Sequence, residues 1–240
     1  MKYDFFNDFD FIPYELAIKF DYRLENVTNK LQNFFKNVKI DSFEDEYVEF
    51  YLAGSCIKAD TFRDIDIFLF TKEKLKRVCA NLDRKYFLYE NNSNTYLYDT
   101  DLIQIVYRER FLDKDLKFIV DIFDFHSTKI GFKCVLDTKN FEITVNEADV
   151  REDFVNYVLT KKNGLTRVNL NPFVTLQRAI HFLKRGDDVP FYVFLEIFSK
   201  ISLIEKDEPI EKYFDRLQGD EDKVKEVKDA IFKYLSFKNN

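Results

Sequence analysis

The run at residues 64–70, DIDIFLF, limits the possible fold more than any other part of this sequence. It alternates at its start and is then wholly apolar, which is typical of a strand buried inside a sheet. Asp64 and Asp66 stand at the start of this strand and on one side of it, because residues two apart in a strand share a face. Unpartnered carboxylates are costly beside a buried strand, so this pair favours a functional role.

Periodicity and turn residues predict the elements around this strand. Residues 14–36 carry apolar side chains at steps of three and four, which predicts an amphipathic helix. The other predictions are strands at 47–53 and 102–107, hairpins at 86–98 and 132–145, and helices at 71–82 and 113–123. Thr71 is the expected N-cap of the helix at 71–82.

Strand signals stop near residue 150. Asn171 and Pro172 give the cap and first-turn proline of a helix that ends at Gly186. Further helices are predicted at 189–203, 210–217 and 221–237. We therefore predict an α/β fold of the α+β kind, with a small mixed sheet and flanking helices in a domain at 1–150. An all-helical domain follows at 151–240.

Composition excludes several other classes of protein. With 46% hydrophobic and 18% aromatic residues, the chain can bury a sizeable core, which excludes wholesale disorder. Three cysteines and two histidines give little support to a zinc site or to Ser-His-Asp catalysis. No uncharged apolar run approaches the roughly 18–20 residues of a membrane span, and no signal-peptide pattern is present. We expect a cytoplasmic protein without a membrane partner.

Gly54 and Ser55 end the predicted strand that precedes the carboxylate pair. Two carboxylates on one strand face repel each other when ionised, and a cation between them relieves the repulsion. Oxygen ligands suit Mg²⁺ or Mn²⁺, and Mg²⁺ binds one or two carboxylates together with substrate phosphates. The glycine allows a phosphate to approach the backbone, and Ser55 offers it a hydroxyl and an N–H group.

This order of Gly-Ser, spacer and Asp-x-Asp resembles the signature of the DNA polymerase beta-like nucleotidyltransferase superfamily. Residues 54–58, GSCIK, are similar to the Gly-Gly-x-Val-Arg opening of tRNA CCA-adding enzymes and bacterial poly(A) polymerases, with Lys58 replacing the arginine. Residues 123–125, FDF, are also similar to compact phage-type nucleotidyltransferases. Asn171-Pro172 and residues 178–182, RAIHF, resemble the family's Asp-Pro and Arg-Ala-Leu-Arg-Phe segments. The likeness covers about residues 48–186.

The resemblance implies a nucleotidyltransferase-type catalytic domain that moves a nucleoside monophosphate from an NTP, such as ATP, to an acceptor hydroxyl. Asp64 and Asp66 would be the catalytic ligands of two metal ions. The family's third carboxylate falls at Gln104, a weak metal ligand, so Asp101 and Asp121 are alternatives for that role. The residues expected to bind the nucleotide are Gly54, Ser55, Lys58, Asp124, Lys129 and Arg178.

Residues 154–186 hold six cations and no carboxylate, in a chain of net charge −6. This local excess suits a triphosphate or an RNA backbone, although an ordinary solvated helix face is the alternative. Within it, the residues expected to bind the acceptor are Lys161, Lys162, Lys184 and Arg185. Three alternatives stay open. The acceptor is an RNA 3′ end such as that of a tRNA, or it is a small molecule or protein. In the third alternative the chain is a non-catalytic nucleotide- or RNA-binding relative and has no acceptor.

Overall fold

A computed structural model describes residues 5–54, 56–60, 64–91, 95–98 and 102–204, together with the single residue 225. Predictions for Ser55, for Asp101 and for the helices at 210–217 and 221–237 lie outside the described residues.

The described residues form one sheet of seven strands. The strands are β1 (Tyr47–Ala53), β2 (Ile65–Leu69), β3 (Phe87–Asn91), β4 (Thr95–Tyr98), β5 (Ile103–Tyr107), β6 (Ile130–Asp137) and β7 (Ile143–Val150). Their order across the sheet is β3-β4-β5-β2-β1-β6-β7. Neighbouring strands are antiparallel except for β2 and β5, which are parallel. The predicted mixed sheet is confirmed, and the DIDIFLF strand lies at its centre.

Six α-helices accompany the sheet in the described part of the chain. They are α1 (Tyr14–Val38), α2 (Lys72–Ala80), α3 (Leu116–Asp121), α4 (Glu152–Thr160), α5 (Pro172–Lys184) and α6 (Phe191–Ser202). The buried side chains of α1 and α2 pack with Ile65 and Ile67 of β2 in one apolar cluster. Those of α3 pack with Phe68 in another. Because side chains alternate along a strand, Asp66 lies on the α3 side of the sheet.

Local hydrogen bonds set the helix limits that the sequence predicts only in part. Thr71 caps α2 as predicted, since its hydroxyl accepts a hydrogen bond from the Lys74 amide at 3.1 Å. The helix predicted at 113–123 is shorter, because Asp113 has a φ of +55° and Asp115 caps the helix by accepting from the Phe118 amide at 2.8 Å. A side-chain cap competes effectively for the first free amides of a helix, so α3 begins only at Leu116.

The chain forms two compact units. The first unit is Met1–Phe123 with Ser127–Val158, and the second is Asp124–His126 with Leu159–Asn240. In the second unit, Phe125 packs with buried side chains of α5 and α6. A functional boundary near residue 150 stays a prediction. No helix among the described residues combines the length and the apolar character needed to cross a bilayer.

Candidate active site

Asp66 occupies the middle of the sheet in the first unit. It pairs in register with Ala53 of β1 on one side and with Gln104 of β5 on the other. Its Oδ2 atom is 3.8 Å from the point where a Cβ on Gly54 would lie. The carboxylate of Asp66 therefore faces the turn that ends β1, as the sequence predicts.

Gly54 makes this turn with a φ of +103°, in the left-handed region that residues with a Cβ rarely adopt. Its amide donates a hydrogen bond to the Ile130 carbonyl of β6 at 3.3 Å. The turn is thus fixed to the sheet on the side away from β2, and its conformation requires glycine.

Asp64 precedes β2 directly and is half-buried, as is Asp66. The charges of both carboxylates affect the pKa of the Cys56 thiol. Burial, together with the negative charges of Asp66 and, less strongly, of Asp64, raises the pKa of Cys56 to about 12. An electrostatic effect of this kind requires proximity, so both carboxylates lie near the beginning of the 56–60 loop.

Two carboxylates and the amide oxygen of Gln104 make an all-oxygen donor set at this end of β2. Such donors fit Mg²⁺, which uses one or two protein carboxylates and completes its shell with water and substrate phosphates. Among the described residues there is no group of three or more His, Cys, Asp or Glu side chains arranged to hold a metal. Asp121, considered above as a third ligand, instead accepts a hydrogen bond from Arg151 Nε at 2.9 Å.

The loop at 56–60 is tied to α1 by Arg23. The guanidinium of Arg23 donates to the carbonyls of Ile57 at 3.4 Å and Lys58 at 3.1 Å, and to the Asp60 carboxylate at 2.8 Å. The hydrogen bond to the carboxylate and the positive charge of the guanidinium hold the pKa of the Asp60 carboxyl below its usual range. Arg23 was not predicted from the sequence, since nothing in its local spacing on an amphipathic helix marks a long-range contact.

The two lysines predicted to bind nucleotide in this unit contact protein groups. Lys58 Nζ lies 3.2 Å from the hydroxyl of Tyr157 on α4 and 5.4 Å from the centroid of the same ring. Lys129 is buried, and its ammonium donates to the carbonyl of Asp121 at 2.8 Å. Asp121 is the last residue of α3, so Lys129 places a positive charge at the negative end of that helix.

Asp124 and Arg178 come together in the second unit. Asp124 is 2% exposed, and its Oδ1 atom is 2.5 Å from Nη1 of Arg178. Its Oδ2 atom is buried and has no hydrogen-bond partner among the described residues. The Arg178 side chain is about one-third exposed and lies over the Phe125 ring, with 5.7 Å from Cζ to the centroid. Part of the Arg178 side chain is therefore exposed, and the buried carboxylate of Asp124 fixes the position of its guanidinium.

The four cations predicted to bind the acceptor are exposed residues of the second unit. Lys161 and Lys162 follow α4, while Lys184 and Arg185 lie at the C-terminal end of α5. The structure therefore places the predicted residues in two sets: Gly54, Lys58, Asp64, Asp66, Gln104 and Lys129 in the first unit, and Asp124, Lys161, Lys162, Arg178, Lys184 and Arg185 in the second.

No family model and no curated protein matches the sequence. The chain is similar to several solved structures. A CCA-adding enzyme in complex with CTP matches 69% of this chain at 16% identity and a TM-score of 0.42. A tRNA-processing enzyme in an apo form matches 93% at 12% identity and a TM-score of 0.49. A complex of a tRNA-processing enzyme matches 78% at 13% identity and a TM-score of 0.44.

The matched regions cover 40%, 57% and 53% of those three proteins, so this chain spans about half of their length.

Proposed function

We propose that the chain transfers a nucleoside monophosphate from an NTP to an acceptor hydroxyl, and that the acceptor is an RNA 3′ end. The observation that carries this proposal is the position of Asp66. Its carboxylate faces the left-handed turn at Gly54, with Asp64 nearby, at the end of a central strand. A phosphate-accessible turn beside two carboxylates is the arrangement that metal-assisted phosphoryl transfer requires.

In this reaction the acceptor oxygen forms a bond to the α-phosphorus, and the bridging bond between the α- and β-phosphates breaks. Pyrophosphate leaves, and the proton of the acceptor hydroxyl passes to water. Asp64 and Asp66 would hold Mg²⁺, and the ion would supply positive charge that lowers the pKa of the hydroxyl and offsets the charge of the leaving group.

The protein groups position the triphosphate. Gly54 leaves the backbone of the turn open to a phosphate, and Ser55 is proposed to add its hydroxyl and N–H group. Lys58 is proposed as the cation for the β- and γ-phosphates, since its ammonium already lies within the first unit at Tyr157. Lys129 was expected to bind the nucleotide, and its burial against the end of α3 favours a supporting role over direct contact.

RNA is favoured as the acceptor by the second unit. Its carboxylate-free stretch carries the exposed residues Lys161, Lys162, Lys184 and Arg185, and cations of this kind neutralise backbone phosphates. Arg178 is proposed to contact a nucleotide, with Asp124 fixing the orientation of its guanidinium.

Substitution of the carboxylates tests the proposal. Asp64→Ala and Asp66→Ala should each reduce transfer to below roughly a tenth of wild type, because each removes one of two metal ligands. Glu49→Ala is the matched control, since it removes a half-buried carboxylate from the neighbouring strand β1 and should retain full transfer. The assay incubates each labelled NTP with Mg²⁺ and total RNA, and then measures label in RNA and in protein.

Label in RNA that disappears only in the Asp64 and Asp66 variants supports the proposal. Transfer above a tenth of wild type in either variant would rule out the two-metal assignment. Label in protein, or in an added small molecule, would show that the acceptor is a protein or a small molecule instead of RNA.

The third class, a non-catalytic relative, is favoured by one residue. Gln104 pairs in register with Asp66, where a third carboxylate would strengthen metal binding. Gln104→Glu should therefore lower the Mg²⁺ concentration needed for half-maximal transfer, because it adds an anionic oxygen ligand. A wild-type chain that binds NTP but labels no acceptor, with label appearing in Gln104→Glu, would identify the natural chain as the non-catalytic form.

A further inference from the structure

A cavity of about 340 Å³ opens on the first unit, on the sheet face opposite to Asp66. It is lined by Lys76, Cys79, Ala80, Arg84, Phe87, Tyr96 and Tyr98. Tyr96 and Tyr98 pair in register with Ile105 and Ile103, which belong to the cluster packed under α1 and α2. Since Asp66 and Gln104 point to the α3 side, the cavity is separate from the candidate active site.

Aromatic rings form one wall of this cavity. The centroid of the Phe87 ring is 5.7 Å from that of Tyr96 and 5.8 Å from that of Tyr98. Tyr98 is almost fully buried, whereas Phe87 and Tyr96 are half-buried and keep ring surface accessible. An accessible aromatic face of this kind stacks with the flat face of a nucleobase, whichever base it is.

Two cations also line the cavity. Lys76 on α2 and Arg84 in the short 3₁₀ helix at Arg84–Tyr86 are both exposed, and no carboxylate is among the lining residues that the structure describes. Residues 72–85 hold six cations and two carboxylates, in a chain of net charge −6. The potential at this cavity therefore favours an anion, and phosphate is the anion that accompanies a base.

The volume suits a ligand of that size. Small-molecule sites range from roughly 300 to 1,000 Å³, so this cavity accommodates one nucleotide unit rather than a larger cofactor.

We infer that this cavity binds one nucleotide unit of a single-stranded nucleic acid, with the base on Phe87 and Tyr96 and the phosphate at Lys76 and Arg84. The site would anchor a strand independently of transfer, because neither the carboxylate pair nor an NTP takes part in it.

The test measures binding of a fluorescent single-stranded RNA decamer to the full chain by anisotropy, without NTP or Mg²⁺. Tyr96→Leu removes the stacking face and should weaken binding about tenfold, within the range for the loss of one base–aromatic stack. Tyr96→Phe keeps the ring and should bind as wild type does. Thermal denaturation of both variants confirms that the fold is retained.

A second pair of variants separates the cavity from general charge. Lys76→Ala with Arg84→Ala should weaken binding and reduce the slope of log K against log salt by about 0.7 for each phosphate that these cations neutralise. Lys74→Ala with Lys85→Ala removes the same charge from the same helix and the same 3₁₀ turn, outside the cavity lining, and should leave binding almost unchanged.

A decamer that contains 4-thiouridine should form a photo-crosslink to the peptide carrying Phe87 or Tyr96. Equal effects of the two charge pairs, or equal binding by Tyr96→Leu and wild type, would overturn the inference. So would a free nucleoside monophosphate that binds as tightly as the decamer. The binding assay contains neither NTP nor Mg²⁺, so failure of the proposed transfer reaction leaves this result unaffected.

Discussion

The basic side chains predicted to bind ligands have different surroundings in the two units. In the first unit, Lys58 contacts Tyr157 and Lys129 is buried against the end of α3. In the second unit, the cations at 161, 162, 184 and 185 are exposed residues at helix ends. Burial restricts what a cation can reach, so the difference indicates that Lys129 supports the fold, whereas the four exposed cations are accessible to large anions.

The largest effect is expected for the exposed set. Replacing Lys161, Lys162, Lys184 and Arg185 by alanine should weaken RNA binding, and the slope of log K against log salt should fall by about 0.7 for each backbone phosphate left without its cation. NTP affinity and the free energy of unfolding should hardly change. A salt titration by gel shift measures the slope.

The control for this variant removes four exposed lysines elsewhere, namely Lys30, Lys36, Lys117 and Lys200. Its net charge is the same, so it shows how much of the loss of affinity comes from overall charge alone. Indistinguishable slopes in wild type and the first variant would show that these four cations do not bind an RNA backbone. RNA would then no longer be the favoured acceptor.

A smaller effect, on stability, is expected for the buried lysine. Lys129→Met leaves the Asp121 carbonyl without this donor and should lower the free energy of unfolding by about 1–3 kcal/mol. Urea denaturation measures the change. Lys133→Met, on β6, serves as control and should cost about 0–1 kcal/mol, since Lys133 is only half-buried and 3.8 Å from Glu49. An unchanged stability together with a loss of NTP affinity would show that Lys129 binds nucleotide directly.

The smallest effect is expected for Lys58, which is half-buried and therefore lies between the buried Lys129 and the exposed cations of the second unit in accessibility. Lys58→Met removes the hydrogen bond and the cation–ring interaction with Tyr157, which together should cost about 1 kcal/mol of stability. If Lys58 also binds the triphosphate, the KM for NTP should increase severalfold. Tyr157→Phe keeps the ring and the lysine, so an equal increase in KM there would assign the effect to the absence of the hydroxyl instead.

Local signals were enough to predict much of the sheet. The strand at Tyr47–Ala53, the two hairpins and the Thr71 cap follow from alternation and turn residues, which act over a few positions. The helix α4 was not predicted as a separate element, because it follows β7 after a single residue and no turn residues mark its start.

Fewer of the contacts in the candidate site could be predicted from the sequence. The spacing of Gly54, Asp64 and Asp66 predicts that they converge, since it depends on two adjacent strands alone. The burial of Lys129 was not foreseen, because it depends on where α3 ends and lysine is ordinarily exposed. The pairing of Asp124 with Arg178 joins two segments that the order of motifs relates but does not bring into contact.

Arg23 has a consequence for the entropy of ligand binding. Its guanidinium fixes the carbonyls of Ile57 and Lys58 and the carboxylate of Asp60 to α1. Ordering the backbone of one residue costs about 1–2 kcal/mol, and a flexible loop incurs that cost when its ligand arrives. Here folding of α1 against the sheet has already ordered the loop. A phosphate that binds beside it, as we propose, would therefore meet a preorganised turn, and more of its interaction energy would remain as affinity.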